Sequence, residues 1–236
     1  MNAKGWTLVT GGAKGLGAEI CRTLAKEGRD ILIHYNVSHD DAVHIQKECL
    51  SLGVAAEIIQ GNFSSKESTQ RFVEDLQHYS GVNSLINNVG QYFNKPLVDT
   101  SIEEWETLAQ VNVYAPFMII KALLPNIKMS KGNIINIGVS GLAAMQAKIV
   151  NTAYGASKLN LWLITKSLAK ELAPFHVRVN MVSPGQLENS VDVIDTAKLP
   201  MGRAGTMAEA ARLTAFLLDK DNSYITGQNI EIAGGL

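Results

Sequence analysis

Tyr154 and Lys158 stand four residues apart in the stretch Ala153-Tyr-Gly-Ala-Ser-Lys158-Leu-Asn-Leu-Trp-Leu. Apolar residues recur there at helical spacing, which predicts a helix and puts both side chains on one face. A free phenol titrates near pH ~10, and a neighbouring cation favours its charged form. The pair is therefore expected to bring the Tyr154 pKa down and make the phenol a proton donor or acceptor at neutral pH. A Tyr and a Lys at this spacing also occur on ordinary surface helices, so the chemistry depends on what surrounds them.

A second site lies near the N-terminus. The β-prone run Trp6-Thr-Leu-Val-Thr10 leads into Gly11-Gly-Ala-Lys-Gly15-Leu-Gly17, and a helical pattern follows with Leu16, Ile20 and Leu24 on one stripe. Strand, glycine-rich turn and helix form a phosphate cradle: glycines let the backbone approach a pyrophosphate, and the helix N-terminus offers unpaired N–H groups. The spacing is Gly-x3-Gly-x-Gly, and no Gly-Lys-Ser/Thr of a P-loop accompanies it.

Elements able to position these groups recur along the chain. Apolar strand candidates begin near Trp6, Asp30, Ala55, Asn83, Gly132, Val177 and Asn229, with helical patterns over 16–27, 40–52, 66–79, 103–128, 154–173 and 207–218. Alternating strands and helices predict an α/β fold, a doubly wound parallel sheet covered on both faces, with ligands at the strand C-terminal ends. A chain of 236 residues, 46% hydrophobic, suffices for one such domain over 1–236, with an irregular stretch at 186–205 as a substrate lid. A net charge of -1 gives no footprint for nucleic acid or an anionic membrane. No uninterrupted run of eighteen apolar residues and no room for a signal peptide precede or interrupt the pattern, so a soluble cytoplasmic protein is expected. The two cysteines, Cys21 and Cys49, fit packed reduced thiols, and the histidines show no metal-ligand spacing.

Thr10-Gly-Gly-Ala-Lys-Gly-Leu-Gly17, Asn87-Asn-Val-Gly90, Asn112 within Gln-Val-Asn-Val-Tyr-Ala-Pro-Phe, Tyr154-x3-Lys158, Val179-Asn-Met-Val-Ser-Pro-Gly185 and Tyr224-Ile-Thr-Gly227 follow one another in this order. With these motifs the chain resembles the classical short-chain dehydrogenases/reductases over essentially its whole length. The resemblance implies a Rossmann-like fold and hydride transfer from a nicotinamide cofactor to a polarised C=O or C=N carbon. It implies Tyr154 as proton donor and Lys158 as the group that lowers the Tyr pKa and holds the nicotinamide ribose. Asn112 would anchor a water relaying protons to Lys158, and Ser140 would hydrogen-bond the substrate oxygen. Cofactor contacts are implied at Gly11, Lys14, Gly15, Leu16, Gly17, Asn62, Asn88, Gly90, Tyr154, Lys158, Pro184, Gly185 and Leu187.

NADP(H) is the expected cofactor. No acid ends the second strand, Asp30-Ile-Leu-Ile-His-Tyr-Asn36, to hold a ribose 2′-hydroxyl, and Lys14 in the glycine turn suits a 2′-phosphate, with His34, Asn36 and Ser38 as further donors. The chain departs from the family at the end of the fifth strand. Ile137-Gly-Val-Ser140 puts Val139 where the family has its catalytic Ser, so Ser140 serves only if the chain bulges or leaves the strand there. Asn189 likewise stands where a cofactor-contacting Thr often follows. The resemblance favours a 3-oxoacyl thioester as substrate, with Lys95, Lys128, Lys131 and Arg203 as a basic patch for an acyl carrier and Leu199 and Met201 over the acyl chain. A pteridine or dihydrofolate is the alternative, read by Tyr92, Phe93, Gln91, Gln186, Glu188 and Asn189. A non-catalytic NADPH sensor on the same fold is a third reading, opposed by the retained Tyr and Lys. A homotetramer is implied, with Trp105, Phe117, Met118, Trp162 and Leu163 as candidates for burial between subunits.

Overall fold

The computed structural model describes residues 5–144, 146, 147, 149–190 and 195–236. Seven strands, Trp6–Val9 (β1), Asp30–Tyr35 (β2), Ala56–Gln60 (β3), Val82–Asn87 (β4), Asn133–Ile137 (β5), Arg178–Pro184 (β6) and Asn229–Ile232 (β7), form one sheet in the order β3-β2-β1-β4-β5-β6-β7. All neighbours are parallel. Consecutive strand residues supply opposite cores, because side chains alternate across a sheet and both faces are covered. Val9, Ile31, Ile33, Ile86 and Ile135 pack on helices Gly15–Lys26 (α1), His39–Ser51 (α2) and Met207–Leu218 (α7). Leu8, Leu32, Leu85 and Ile134 pack on the helices of the other face: Lys66–Leu76 (α3), Ala115–Ser130 (α5) and Thr152–Leu172 (α6).

The strand order reverses between β1 and β4. A crevice for ligands therefore opens where the turn after β1 and the turn after β4 diverge. Thr10 joins those two turns: its hydroxyl accepts from the N–H groups of Asn88 (2.9 Å) and Val89 (3.1 Å), while the Asn88 amide donates to the carbonyl of Thr10.

Two helices differ from expectation. α3 stops at Leu76, and the residues to Tyr79 close as turns. The helix expected over 103–128 is divided into Ile102–Ala109 (α4) and α5 by a wider π-turn at Gln110–Tyr114, which carries Asn112. Taken together, Ile102–Ser130 is long and apolar enough to cross a membrane by length and composition, although no uninterrupted apolar run exists. Half of its apolar window is buried, against β4 and α3. Cys21 and Cys49 are buried free thiols facing each other between α1 and α2, as packed apolar groups.

Candidate active site

The glycine turn has the form a phosphate cradle requires. Gly11 and Gly15 hold φ of 65° and 55°, conformations that favour glycine. Gly17 answers a packing demand instead, since a Cβ there would lie 2.1 Å from the Gly11 carbonyl oxygen. Lys14 occupies the N-cap of α1 without a capping bond, which leaves the first-turn N–H groups of Gly15, Leu16 and Gly17 to an external acceptor. Uncapped donors behind an open glycine turn fit a pyrophosphate group. The Lys14 ammonium is exposed and pairs with Asp41 of α2 at 2.9 Å. That acid lies beyond the end of β2 in sequence, but the first turn of α2 brings it back over the glycine turn.

His34 does not offer the donor expected of it. Its ring is buried, with both nitrogens committed to Gly11 and Gly61. Asn36 is exposed beside it, and Asn62 on the loop after β3 is exposed with its carbonyl oxygen accepting from the N–H of Ser64.

Tyr154 and Lys158 come together on the first turns of α6, beneath the turn after β4. The Lys158 ammonium donates to the Ile137 carbonyl at 2.9 Å and lies 5.7 Å from the centre of the Tyr154 ring. Gly90 passes directly over it, where a Cβ would come within 3.2 Å of Nζ. The expected depression of the phenol pKa is overturned in the isolated chain. Burial, and secondarily Tyr92, pushes Tyr154 up to about 12, because the ammonium is turned to Ile137 instead of the phenolic oxygen. Burial pushes Lys158 down to about 8.

Asn112 is clamped. Its carbonyl oxygen accepts from the Gln91 N–H (2.7 Å), and both amide hydrogens are used, on the Gln91 carbonyl and the Ser157 hydroxyl (each 2.9 Å). The side chain thereby fixes Gln91, next to Gly90, against α6. Tyr92 packs edge-on against Tyr154 at 4.9 Å, and its phenol accepts from the Asn151 amide. Asn151 caps α6 in the left-handed conformation.

Ser140 stands in a turn beyond β5. The ladder to β6 runs on past β5, from Gly138 N to the Val182 carbonyl and from Ser140 N to the Pro184 carbonyl. Val139 joins Leu142, Leu161 and Met181 in an apolar cluster under α6. The turn at Ser140 and Gly141 is held from β7, where Glu231 accepts from the Gly141 N–H. Among the described residues no hydrogen bond joins Ser140 to Tyr154 or Lys158.

Residues 191–194 of the expected lid lie outside the described residues. Before them, Leu187 has both backbone groups engaged by Ser190, so its N–H reaches a ligand only by giving up the Ser190 hydroxyl. Gly185 is a glycine because the C-terminal segment passes close: a Cβ would lie 2.8 Å from the Ala233 Cα. The Asn189 amide lies beside the glycine turn, where a Cβ on Gly15 would come within 3.2 Å of it. Glu188 accepts from the Met207 N–H at the start of α7. Leu199 is buried against the C-terminal residues, beside a cavity of about 70 Å³.

The expected basic patch is not one surface. Lys95 pairs with Glu104, and Arg203 binds both carboxylate oxygens of Glu209. Lys128 and Lys131 end α5 and so sit just before β5, on the rim opposite Tyr154. Sequence reasoning missed Thr10, Asp41, Asn151 and Glu231; each acts through a partner far along the chain, and no local spacing announces it.

A family model described as short chain dehydrogenase matches residues 5–196. The chain is 32% identical to the putative oxidoreductase YtkK of Bacillus subtilis, covering 97% of this chain and 95% of the relative. It is also 32% identical to the 3-oxoacyl-[acyl-carrier-protein] reductase FabG of Aquifex aeolicus, covering 98% and 96%. A blue fluorescent protein from a metagenomic library, solved in complex with NADPH, superposes with a TM-score of 0.90 at 31% identity, covering 98% of this chain and 97% of that one.

Proposed function

This chain belongs to the short-chain dehydrogenase family, and within it we propose an NADPH-dependent carbonyl reductase acting on a short 3-oxoacyl thioester. The observation that carries the reading is the Tyr154 phenol beside a buried Lys158 ammonium under the open backbone of Gly90. Gly11, Gly15, Leu16 and Gly17 would hold the pyrophosphate, Lys14 the 2′-phosphate, Asn62, Asn88 and Gly90 the adenosine side, and Lys158, Pro184, Gly185 and Leu187 the nicotinamide side. When bound, the nicotinamide supplies the hydride that adds to the substrate carbon.

Tyr154 donates its proton to the developing alkoxide. A phenol held up at about 12 is fully protonated at neutral pH, the form that a reduction needs and an alcohol oxidation does not. Lys158, charged below about 8, favours the phenolate left behind. Ser140 polarises the substrate oxygen. Asn112 keeps Gln91 and Gly90 in place over Lys158.

The thioester rests on the 3-oxoacyl reductase relative. Docking of an acidic carrier receives no support from the separated cations. The aromatic wall of Tyr92 beside Tyr154 favours a flat heterocycle as the second reading. One NADPH-oxidation panel of acetoacetyl thioesters, dihydrobiopterin, dihydrofolate and simple quinones tests both. Turnover of a pterin without the thioester would replace the first reading, and inactivity on all would favour an NADPH sensor. Exposed Trp105, Phe117 and Leu163 on neighbouring helices, with part-buried Met118 and Trp162, support a homotetramer. We place the enzyme in the cytoplasm on its family and composition.

A further inference from the structure

His34 is the penultimate residue of β2 and only 2% exposed, yet it touches two loops that flank the proposed adenosine half of the cofactor site. Gly11 N–H donates to Nδ1 at 2.9 Å, and Nε2 lies 3.1 Å from the Gly61 carbonyl oxygen. A backbone N–H can only donate and a carbonyl can only accept. The tautomer is thereby fixed: Nδ1 is the acceptor, Nε2 carries the hydrogen, and the imidazole is neutral.

The packing enforces the same state. Phe63 stacks on the ring at 4.4 Å and 4°, and Phe72 meets it edge-on at 5.0 Å. Burial in this setting pushes the ring pKa down to about 4, and the Gly61 bond offsets only part of that. The backbone repeats the connection, with Gly12 N–H donating to the His34 carbonyl and Gly61 N–H to that of Tyr35. Gly61 must be glycine, since a Cβ would lie 2.4 Å from the Phe72 ring and 3.0 Å from His34 Nε2. One imidazole width thus sets the distance between the glycine turn and the loop bearing Asn62.

We infer that His34 is a positioning residue: a neutral imidazole strut that spaces the glycine turn from the loop after β3, and so tunes binding of the adenosine half without touching the cofactor. The inference rests on the nicotinamide-cofactor reading above. It calls for no contact between His34 and a ligand, in contrast to the donor role its sequence position suggests.

Asn places an acceptor near the Nδ1 position and Gln a donor near the Nε2 position, whereas Phe fills the volume and makes neither bond. His34→Asn, His34→Gln and His34→Phe therefore separate the two ties. Titration with NADPH and with reduced nicotinamide mononucleotide, which lacks the adenosine half, reads binding; amide exchange at Gly11 reads the strut in the free protein. The expected result is NADPH Kd raised at least tenfold in His34→Phe and by less in the other two. Affinity for the mononucleotide and kcat at saturating NADPH stay within twofold of wild type. Gly11 exchange accelerates in His34→Gln and His34→Phe but not in His34→Asn. Equal weakening for NADPH and the mononucleotide would overturn the positioning role, as would unchanged NADPH binding. Should His34→Phe fail to fold, the Asn and Gln variants decide it alone, unchanged NADPH Kd in both overturning it. Wild-type protein that binds neither NADPH nor NADH would overturn the cofactor reading, and unchanged Gly11 exchange in His34→Gln would overturn the strut itself.

Discussion

At the nucleotide end, loops are tied to strands by backbone bonds: Gly12 to His34, Gly61 to Tyr35 and Thr10 to Ile86, with the His34 ring bridging two turns. At the substrate end, side chains add their own ties to the backbone ladder that carries Ser140: Lys158 on Ile137, Asn112 on Gln91, Asn151 on Tyr92 and Glu231 on Gly141. A backbone bond survives almost any side-chain exchange, whereas a side-chain tie is lost with its residue. Substitutions of Tyr154 or Ser140 at the substrate end should therefore change turnover while leaving cofactor binding alone, and substitutions at the nucleotide end should do the reverse.

The sharpest split is expected at Tyr154. Tyr154→Phe keeps the ring packed on Tyr92 and deletes only the hydroxyl, so turnover should fall by roughly 10²–10⁴-fold with NADPH affinity within about twofold on the same reading. Survival of turnover within a few-fold would remove the phenol from the chemistry. Ser140→Ala comes next. Loss of one donor to a developing oxyanion costs about 10²–10³ in kcat, and a fall of less than threefold would assign substrate polarisation to another group. Val139 makes this test pointed, because an apolar side chain fills the position the family gives to serine.

A pH profile adds a smaller effect. Lys158 has its pKa lowered to about 8, so its charge is present below that pH and lost above it. Reduction at saturating NADPH should hold level below pH 8 and then fall, approaching ~tenfold per pH unit for a single ionisation. A profile flat to pH 10 would show that the ammonium is not needed for proton donation.

The legible parts of the sequence were those whose cause is local. Glycine spacing, the apolar strand runs and the Tyr–Lys helix face need only a few neighbouring residues, and each strand begins within one residue of its expected start. The π-turn was not legible in the helical spacing, and the contact that Asn112 makes from it, to Gln91, spans 21 positions. His34 was misread because an imidazole at the end of β2 suits a ligand equally well until Phe63 and Phe72 are seen to enclose it. Burial also reversed the expected direction at Tyr154, and no spacing rule contains burial.

Lys14 and Asp41 give the finest test at the nucleotide end. Their side chains are 64% and 48% exposed and 2.9 Å apart, so the pair itself is worth at most about 1 kcal/mol. A 2′-phosphate on Lys14 has to compete with the Asp41 carboxylate and also meets its like charge. Lys14→Ala should then raise the NADPH Kd by about tenfold, the scale of one charge-assisted phosphate bond, and leave NADH nearly unchanged. Asp41→Asn should act in the opposite sense, tightening NADPH by up to about fivefold, which is ~1 kcal/mol of competing ion pair. In the double variant the Asp41 effect should vanish, because the competition exists only while the ammonium is present. Tightening that persists without Lys14 would mean that Asp41 repels the phosphate directly. Comparable Kd values for NADPH and NADH in the unaltered protein would instead remove the 2′-phosphate from the assignment of Lys14. Neither substitution should alter kcat at saturating cofactor; a change there would break the division between the two ends of the site.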